Sequence, residues 1–232
     1  MMLSDSPFTS TGFSTVTLEM LNRLSDRGHE CIQIGHNYLG QNLPPNPSML
    51  KDGTPFKFWT YGAGRYQYGQ DIIMPLIRDL KVDFFGVLLD SFMVSGFFHT
   101  LDFAPAISYF YFPSDGNGGL PLKCENVLRK VNIPIAMSKF AQQQVKEVYN
   151  IDAEYIPHGV DTTRYFKMTD EEKKELKRKL GFQNKFIIGI VARNQPRKML
   201  DQTIRVAKEI CKKYPDIVFF MHIDPHDNAA LF

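Results

Sequence analysis

The sequence predicts an α/β fold with a mostly parallel sheet, and three observations carry that prediction. Short apolar runs of strand length alternate with segments of helical periodicity, at a spacing of roughly 20–30 residues typical of βαβ units. Glycines and capping residues stand at the expected ends of the helical segments. Polar residues directly follow several strands, where open parallel sheets bind ligands.

The predicted elements follow in chain order. Only Met1–Leu3 could serve as a strand before the first helix, whose left-handed cap is Gly28. Later strands are predicted from apolar, β-branched runs at Cys31–Gly35, Val82–Leu89, Ala106–Phe112, Ile133–Met137, Ala153–Pro157, Phe186–Ala192 and Ile217–Ile223. Helices are predicted at Thr15–Arg27, Asp71–Leu80, Pro121–Lys130 and Phe140–Tyr149.

Composition restricts the class of protein. With 44% of 232 residues hydrophobic, the chain can bury one core and part of another. The 27 Lys and Arg against 25 Asp and Glu are close to balance, so we expect no nucleic-acid partner. The widely spaced Cys31, Cys124 and Cys211 predict reduced core thiols and a cytoplasmic protein. No apolar run has the roughly 20 residues of a transmembrane helix, although peripheral association with a membrane stays open.

Positive charge is concentrated in the run FIIGIVARNQPRK, Phe186–Lys198. A buried strand ends at Ala192 and is followed by Arg193, Arg197 and Lys198, after which a helical pattern begins. The end of a parallel strand and the start of a helix together favour an anion, because unpaired helix N–H groups point there. The run therefore predicts a site for a phosphate-bearing ligand.

A second run, YIPHGVDTTRYF, covers Tyr155–Phe166. Together the two runs resemble the family-4 (group 1) retaining glycosyltransferases of GT-B fold, which carry IPxGVDxxxF and then GRxxxxKG. The matching positions are Ile156, Pro157, Gly159, Val160, Asp161, Arg193 and Lys198. The departures are Tyr165 for phenylalanine, and Ala192 and Met199 for the two glycines that flank the second motif.

The resemblance implies a GT-B fold and transfer of a sugar from a nucleotide-diphosphate sugar to an acceptor hydroxyl. It also implies retention of anomeric configuration and no metal; the sugar nucleotide is a co-substrate, and no cofactor is expected. The acceptor could be a glycan, a lipid or a small molecule. Arg193 and Lys198, with Arg197, are predicted to bind the donor. Gly12, in the predicted loop before the first helix, is expected near the donor phosphates.

Other candidate residues follow predicted strand ends. Asp90 and Asp115 are interpreted equally well as acceptor contacts or as helix caps, and the catalytic residues stay unassigned. The hinge and cleft residues are expected to be Ser138, His158, Gly159 and Asp161.

The predicted organisation has a Rossmann-like acceptor-side domain at 1–160, a hinge and linker helix at 161–184 and a partial nucleotide-sugar domain at 185–232. Thr169 and Glu172 form a predicted capping box in the linker, and Gly181 closes its helix. The resemblance implies truncation within the second domain, so we expect the chain alone to be inactive. Apolar groups there are expected to favour self-association, namely Phe186, Ile188, Ile190, Phe219 and Phe220.

Three alternatives stay open: a sugar-nucleotide epimerase or phosphorylase of the same fold, a non-catalytic sugar-nucleotide-binding fragment, and a dinucleotide oxidoreductase. The last is disfavoured, because the run Gly62–Gln67 lacks the third glycine of the dinucleotide fingerprint. No metal site is predicted. Four residues near the end of the sequence are interpreted as ordinary loop residues, namely His222, Asp224, His226 and Asp227.

Overall fold

The computed structural model describes residues 1–45, 55–114 and 122–224, with the side chains of Leu122 and Lys123 excepted. Within the chain, contacts separate two compact units, 1–159 and 160–232. Each unit is described by itself below.

The first unit contains a seven-stranded sheet in which all paired strands are parallel. The strand order is β3-β2-β1-β4-β5-β6-β7, so the order reverses between β1 and β4. The strands are β1 (Met2–Asp5), β2 (Ile32–His36), β3 (Trp59–Tyr61), β4 (Phe84–Leu88), β5 (Ile107–Phe112), β6 (Ile133–Ala136) and β7 (Glu154–Tyr155).

The helices of this unit connect successive strands. They are α1 (Gly12–Ser25), α2 (Ile73–Asp79), α3 (Ser91–Val94), α4 (Leu122–Lys130) and α5 (Lys139–Tyr149). Helix α1 begins three residues before the predicted start, because the Thr11 hydroxyl accepts a bond from the Ser14 amide at 3.1 Å and caps the helix. Gly12 is therefore the first residue of α1, which corrects its assignment to a loop. Gly28 has the positive φ of the predicted left-handed cap, 87°.

Strand β1 is an interior strand of the sheet, paired with β2 and β4, although it has only four residues. Met2 and Leu3 belong to the two apolar clusters of the unit, one on each face of the sheet. The strand continues through the polar Ser4 and ends at Asp5, two residues beyond the predicted end at Leu3. The buried Ser4 hydroxyl donates to the Leu88 carbonyl at 2.9 Å and accepts from the Thr17 hydroxyl at 2.7 Å. Those bonds offset the cost of burying it.

The second unit is smaller and more open in its described part. Its elements are α6 (Asp170–Lys179), β8 (Phe186–Val191), α7 (Leu200–Lys213) and β9 (Ile217–His222), and β8 pairs in parallel with β9. The predicted capping box of Thr169 and Glu172 is confirmed, as is the left-handed Gly181 with φ 75°. Of the residues described in this unit, only Asn194 and Leu200 are buried.

None of the helices in the described ranges combines the length and the apolar character needed to cross a membrane. The two longest have 14 residues each.

Candidate functional site

The carboxyl edge of the first sheet has its crevice between β1 and β4, where the strand order reverses. In doubly wound sheets ligands bind at this switch point, outside the carboxyl ends of the strands. Strand β1 ends at Asp5, and residues 6–11 then lead to α1. Strand β4 ends at Leu88 and is followed by Asp90, which precedes α3. The candidate site of this unit is therefore formed by the loops after β1 and β4.

Asp5 is hydrogen-bonded to several neighbouring residues at this edge. One of its carboxylate oxygens accepts a bond from the Thr11 hydroxyl at 2.6 Å, and the other lies 3.0 Å from His36 Nδ1. The Asp5 main-chain carbonyl accepts from Gln33 Nε2 at 2.7 Å. The His36 ring is buried and stacks on Tyr68, with 4.7 Å between ring centroids. This cluster joins β1, β2 and the start of α1.

The electrostatics of the cluster keep Asp5 ionised. Burial alone would raise the pKa of Asp5, but the hydrogen bonds with His36 and Thr11, together with the charge of His36, outweigh burial and lower it. An ionised carboxylate can only accept hydrogen bonds, so in the pair with Asp5 the Nδ1 atom of His36 carries a proton and donates it. Nε2 of His36 is buried and has no hydrogen-bond partner within the described part of the chain.

The lowered pKa of Asp5 predicts an acid-dependent loss of stability. The carboxylate stabilises the folded state fully above its ordinary pKa, and the contribution is lost as the pH falls through the depressed folded-state pKa. Between about pH 6 and pH 3 the wild type should therefore lose more free energy of unfolding than Asp5→Asn, which cannot titrate there. Denaturant titrations at several pH values measure this difference. Parallel curves for the two proteins would contradict it.

The predicted residues at this edge lie as follows. Gly12 is the first residue of α1. A Cβ atom added at Gly12 would meet no atom within 4 Å, so packing within the chain does not require a glycine there. A glycine at this position lets a ligand approach the backbone closely. Asp90 is the N-cap residue of α3, although its side chain forms no capping bond, and it interacts with other groups. The sequence favoured neither role for Asp90, and its position at the crevice is compatible with an acceptor contact. Asp115 lies outside the described residues.

Two of the predicted cleft residues have clear local partners. The Ser138 hydroxyl accepts a bond from the Ala141 amide at 3.0 Å and caps α5, which accounts for a serine at this position. His158 packs edge-on against Tyr111, with 5.3 Å between ring centroids, and burial lowers the pKa of its imidazole. The Tyr111 hydroxyl donates to the Ile156 carbonyl at 2.9 Å, so the first part of the run Tyr155–Phe166 is hydrogen-bonded to β5.

The rest of the run Tyr155–Phe166 contains the boundary between the two units. Gly159 is the last residue of the first unit, and Val160 is the first residue of the second. The exposed Asp161 carboxylate accepts bonds from the hydroxyl and the amide of Thr163, at 2.7 and 2.9 Å, and these bonds lower its pKa. These contacts form a local turn.

The junction of β8 and α7 carries the cations predicted to bind the donor. Arg193 follows the strand by two residues, and a 3-10 helix at Pro196–Lys198 contains the exposed Arg197 and Lys198. The α-helix begins at Leu200, so these cations precede its first turn. The sequence pattern also predicts a helix that begins after the cations.

The start of α7 has unused hydrogen-bonding capacity. Its N-cap residue, Met199, is left-handed with φ 50° and gives no side-chain capping bond. Asn194 is buried, and its Nδ2 donor has no partner among the described residues. Asp201 is an acidic residue in the first turn and partly balances the helix dipole. Three cations, uncapped amides and a buried amide donor nevertheless give this junction the chemistry of a phosphate site.

A large apolar cavity lies at the opposite, amino edge of the first sheet. Its volume is about 730 Å3, and its lining includes Met20, Leu24, Trp59, Tyr109 and Ile135. Burial raises the pKa of Tyr109 to about 12, so this phenol stays neutral at physiological pH. Within the first unit, the cavity lies at the edge of the sheet opposite the switch point.

The described ranges contain no cluster of three or more His, Cys, Asp or Glu residues arranged for a metal. His222 ends β9 and Asp224 lies just beyond it. His226 and Asp227 lie outside the described residues.

Sequence reasoning missed the pairing of Asp5 with His36. A polar residue at the carboxyl end of each of two adjacent strands was the available signal, since those ends meet at one edge of a parallel sheet. The signal was lost because the first strand was expected to end at Leu3.

Comparisons with known proteins concern the fold. No family model matches the sequence, and no curated protein matches it. The chain is similar to the crystal structure of Anabaena Alr3699/HepE in complex with UDP, with a TM-score of 0.63 and 11% identity over 96% of this chain and 68% of that one. For the same protein in complex with UDP and glucose the TM-score is 0.61, with 14% identity over 95% and 59% of the two chains.

A third similar structure is trehalose-6-phosphate from E. coli bound with UDP-2-fluoro glucose. Its TM-score is 0.57, with 10% identity over 96% of this chain and 64% of that one. The chain therefore spans roughly two thirds of the length of these structures. With the seven-stranded parallel sheet, the similarity confirms the predicted α/β, Rossmann-like fold of GT-B type.

Proposed function

We propose that the protein is a glycosyltransferase that moves a sugar from a nucleotide-diphosphate sugar to an acceptor hydroxyl. The observation that carries the proposal is the β8–α7 junction, where Arg193, Arg197 and Lys198 adjoin an uncapped helix start. The similar structures were determined with UDP or with a UDP-sugar analogue, which supports a sugar nucleotide as the ligand.

The proposed role of the junction is to stabilise the leaving group. Negative charge grows on the diphosphate as its bond to the sugar stretches. Fixed cations and N–H donors aimed at that charge lower the barrier, because they need no reorganisation during the reaction. Arg193 and Lys198 would thereby supply the charge that a magnesium ion supplies in other transferases. A metal-independent, retaining reaction of the family-4 type is part of this proposal.

The first unit is proposed to hold the acceptor at its switch point. Asp90 and Asp115 follow strands of that sheet, and we propose them as contacts for acceptor hydroxyls. Gly12 begins α1, so its N–H and that of Phe13 head the helix at the same edge. These donors are suited to the donor phosphates. His158, Gly159 and Asp161 belong to the segment in which one unit passes into the other.

Nucleotide binding tests the proposal. We expect Arg193→Ala and Lys198→Ala each to weaken UDP binding by about 1–3 kcal/mol, the range for charge-assisted hydrogen bonds. Isothermal titration calorimetry of the whole chain measures the change. Lys208→Ala is the matched control, because it removes the same charge from an exposed position about 12 Å along α7 from its first residue.

Two outcomes would contradict the proposal. Unchanged UDP affinity in both Arg193→Ala and Lys198→Ala would remove this junction from the donor site. If the wild type is incubated with a nucleotide sugar and forms an epimer or a sugar phosphate instead of a glycoside, the reaction class is wrong even though the nucleotide site is right.

A further inference from the structure

Two buried side-chain atoms at the junction after β8 have no hydrogen-bond partner within the described residues. One is the Nδ2 donor of Asn194, which is 1% exposed, and the other is the Oε1 acceptor of its neighbour Gln195. Native proteins bury few such unpaired atoms, because each loses its bonds to water without replacement. The junction therefore presents one donor and one acceptor that the described chain leaves unsatisfied.

The same two residues lie among the cations of the junction. Arg193 directly precedes them, and Arg197 and Lys198 follow within three residues. The Gln195 amide donates to the Arg193 carbonyl at 2.9 Å, and the Lys198 amide donates to the Gln195 carbonyl, also at 2.9 Å. These bonds fold the stretch into two consecutive tight turns. Asn194, Gln195 and the cations therefore belong to one compact segment of the second unit.

The two unpaired atoms require different groups from a ligand. Asn194 Nδ2 donates, so it is suited to a phosphate oxygen or to the oxygen of a hydroxyl group. Gln195 Oε1 accepts, and an ionised phosphate ester offers only oxygens that are acceptors as well. A phosphate beside Oε1 would leave this atom unpaired and would be repelled by it. The hydrogen-bonding capacity of the junction is therefore satisfied only by a ligand with an O–H or N–H group next to its phosphate.

We infer that Asn194 and Gln195 determine the specificity of this junction: the cations bind the phosphate, and the two amides bind an uncharged O–H or N–H group of the same ligand. A hydroxyl group satisfies both amides at once, because it accepts from Nδ2 and donates to Oε1. This inference rests on the proposed function. It adds the class of ligand that the junction selects, a phosphate ester whose organic part carries such a group, as sugars and nucleosides do.

Calorimetric titrations of the whole chain with three diphosphate esters test the inference. Dimethylallyl diphosphate carries a hydrocarbon without O–H or N–H groups, UDP carries a nucleoside, and UDP-glucose carries a nucleoside and a sugar. At about pH 8 the phosphates are ionised and only accept hydrogen bonds. We expect Gln195→Leu to bind UDP-glucose about 3- to 10-fold more weakly, the loss of one neutral hydrogen bond, and to bind dimethylallyl diphosphate like the wild type.

The UDP titration identifies the source of the O–H or N–H group. Equal losses with UDP and UDP-glucose would assign the group to the nucleoside, and a loss with UDP-glucose alone would assign it to the sugar. Asn194→Leu should show the same pattern as Gln195→Leu. The matched controls are Gln183→Leu and Asn184→Leu, the same changes at exposed residues before the amino end of β8, and both should bind all three esters like the wild type.

The melting temperature without ligand is a second readout. Replacing an unpaired buried acceptor with an apolar group of similar size removes a desolvation cost, so Gln195→Leu should melt at the temperature of the wild type or above it. A lower melting temperature with unchanged affinities would mean that Gln195 forms a structural hydrogen bond, which overturns the inference. Should Gln195→Leu fail to fold, Gln195→Met takes its place, because methionine also lacks the amide and keeps the unbranched side chain.

The remaining outcomes separate this inference from the proposed function. If the wild type binds none of the three esters, both are wrong. If Lys198→Ala weakens the binding of all three while Gln195→Leu binds like the wild type, the inference alone is wrong. Equal weakening of all three by Gln195→Leu also overturns it, because the residue would then act on the phosphates rather than on an O–H or N–H group.

Discussion

Replacing Phe110 with alanine is expected to destabilise the first unit by about 3–5 kcal/mol, the usual cost of truncating a buried phenylalanine. Phe110 lies in β5, is fully buried, and stacks on Phe112 with 5.7 Å between ring centroids. It also packs against Phe98 at 6.4 Å. The loss is large beside the roughly 5–15 kcal/mol by which domains are usually stable.

Denaturant unfolding followed by tryptophan fluorescence measures this effect. The chain has one tryptophan, Trp59 in β3, so its emission reports on the first unit. Phe186→Ala is the matched control, because Phe186 also lies in a strand but is 62% exposed in the second unit. It should change the free energy of unfolding reported by Trp59 by less than about 0.5 kcal/mol. A loss below about 1 kcal/mol for Phe110→Ala would contradict the described core.

Backbone amides of β8 are expected to exchange with solvent at least about 100-fold faster than those of β4. Strand β4 is paired on both sides, with β1 and β5, and four of its five residues are buried. Strand β8 pairs with β9 in a two-stranded sheet, and none of its residues is buried. Small sheets with open faces have low local stability, and exchange reports that local free energy.

Hydrogen exchange of the monomer, followed peptide by peptide or by NMR, measures the contrast. The amides of Gly86–Leu88 serve as the internal reference for those of Ile187–Val191. If both sets exchange equally slowly, the expected low local stability of β8 is wrong. Protection of β8 that increases with protein concentration would instead support the predicted self-association.

Sequence alone could predict most of this fold, because in strongly patterned segments the residues of the segment itself determine whether it forms a strand or a helix. The apolar and aromatic run ISYFYF of β5 predicts a strand, and the capping box of Thr169 and Glu172 marks the start of α6. Strand β1 was incompletely predicted because Ser4 and Asp5 are polar. Their burial in a strand depends on partners such as Leu88, which are distant in sequence.

The candidate site also has a part that the sequence predicts and a part that it does not. The cations after β8 are contiguous in sequence, so their proximity to a helix start could be predicted from the run itself. The pair of Asp5 and His36 joins residues 31 positions apart, and it depends on the register that places these two residues opposite each other. Ser138 also has a local explanation, because its hydroxyl caps α5, and its predicted place in the cleft stays a prediction.

The interior position of β1, between β2 and β4, has a consequence for the order of events during synthesis. This strand leaves the ribosome before β2 and β4, and β2 can pair with one of its edges soon afterwards. The other edge needs β4, and the bond from Ser4 to Leu88 spans 84 residues. At about 5–20 residues per second the nascent chain keeps that edge open for several seconds. Chaperone binding to short nascent chains should therefore fall once β4 has left the exit tunnel, because β1 then has both neighbours.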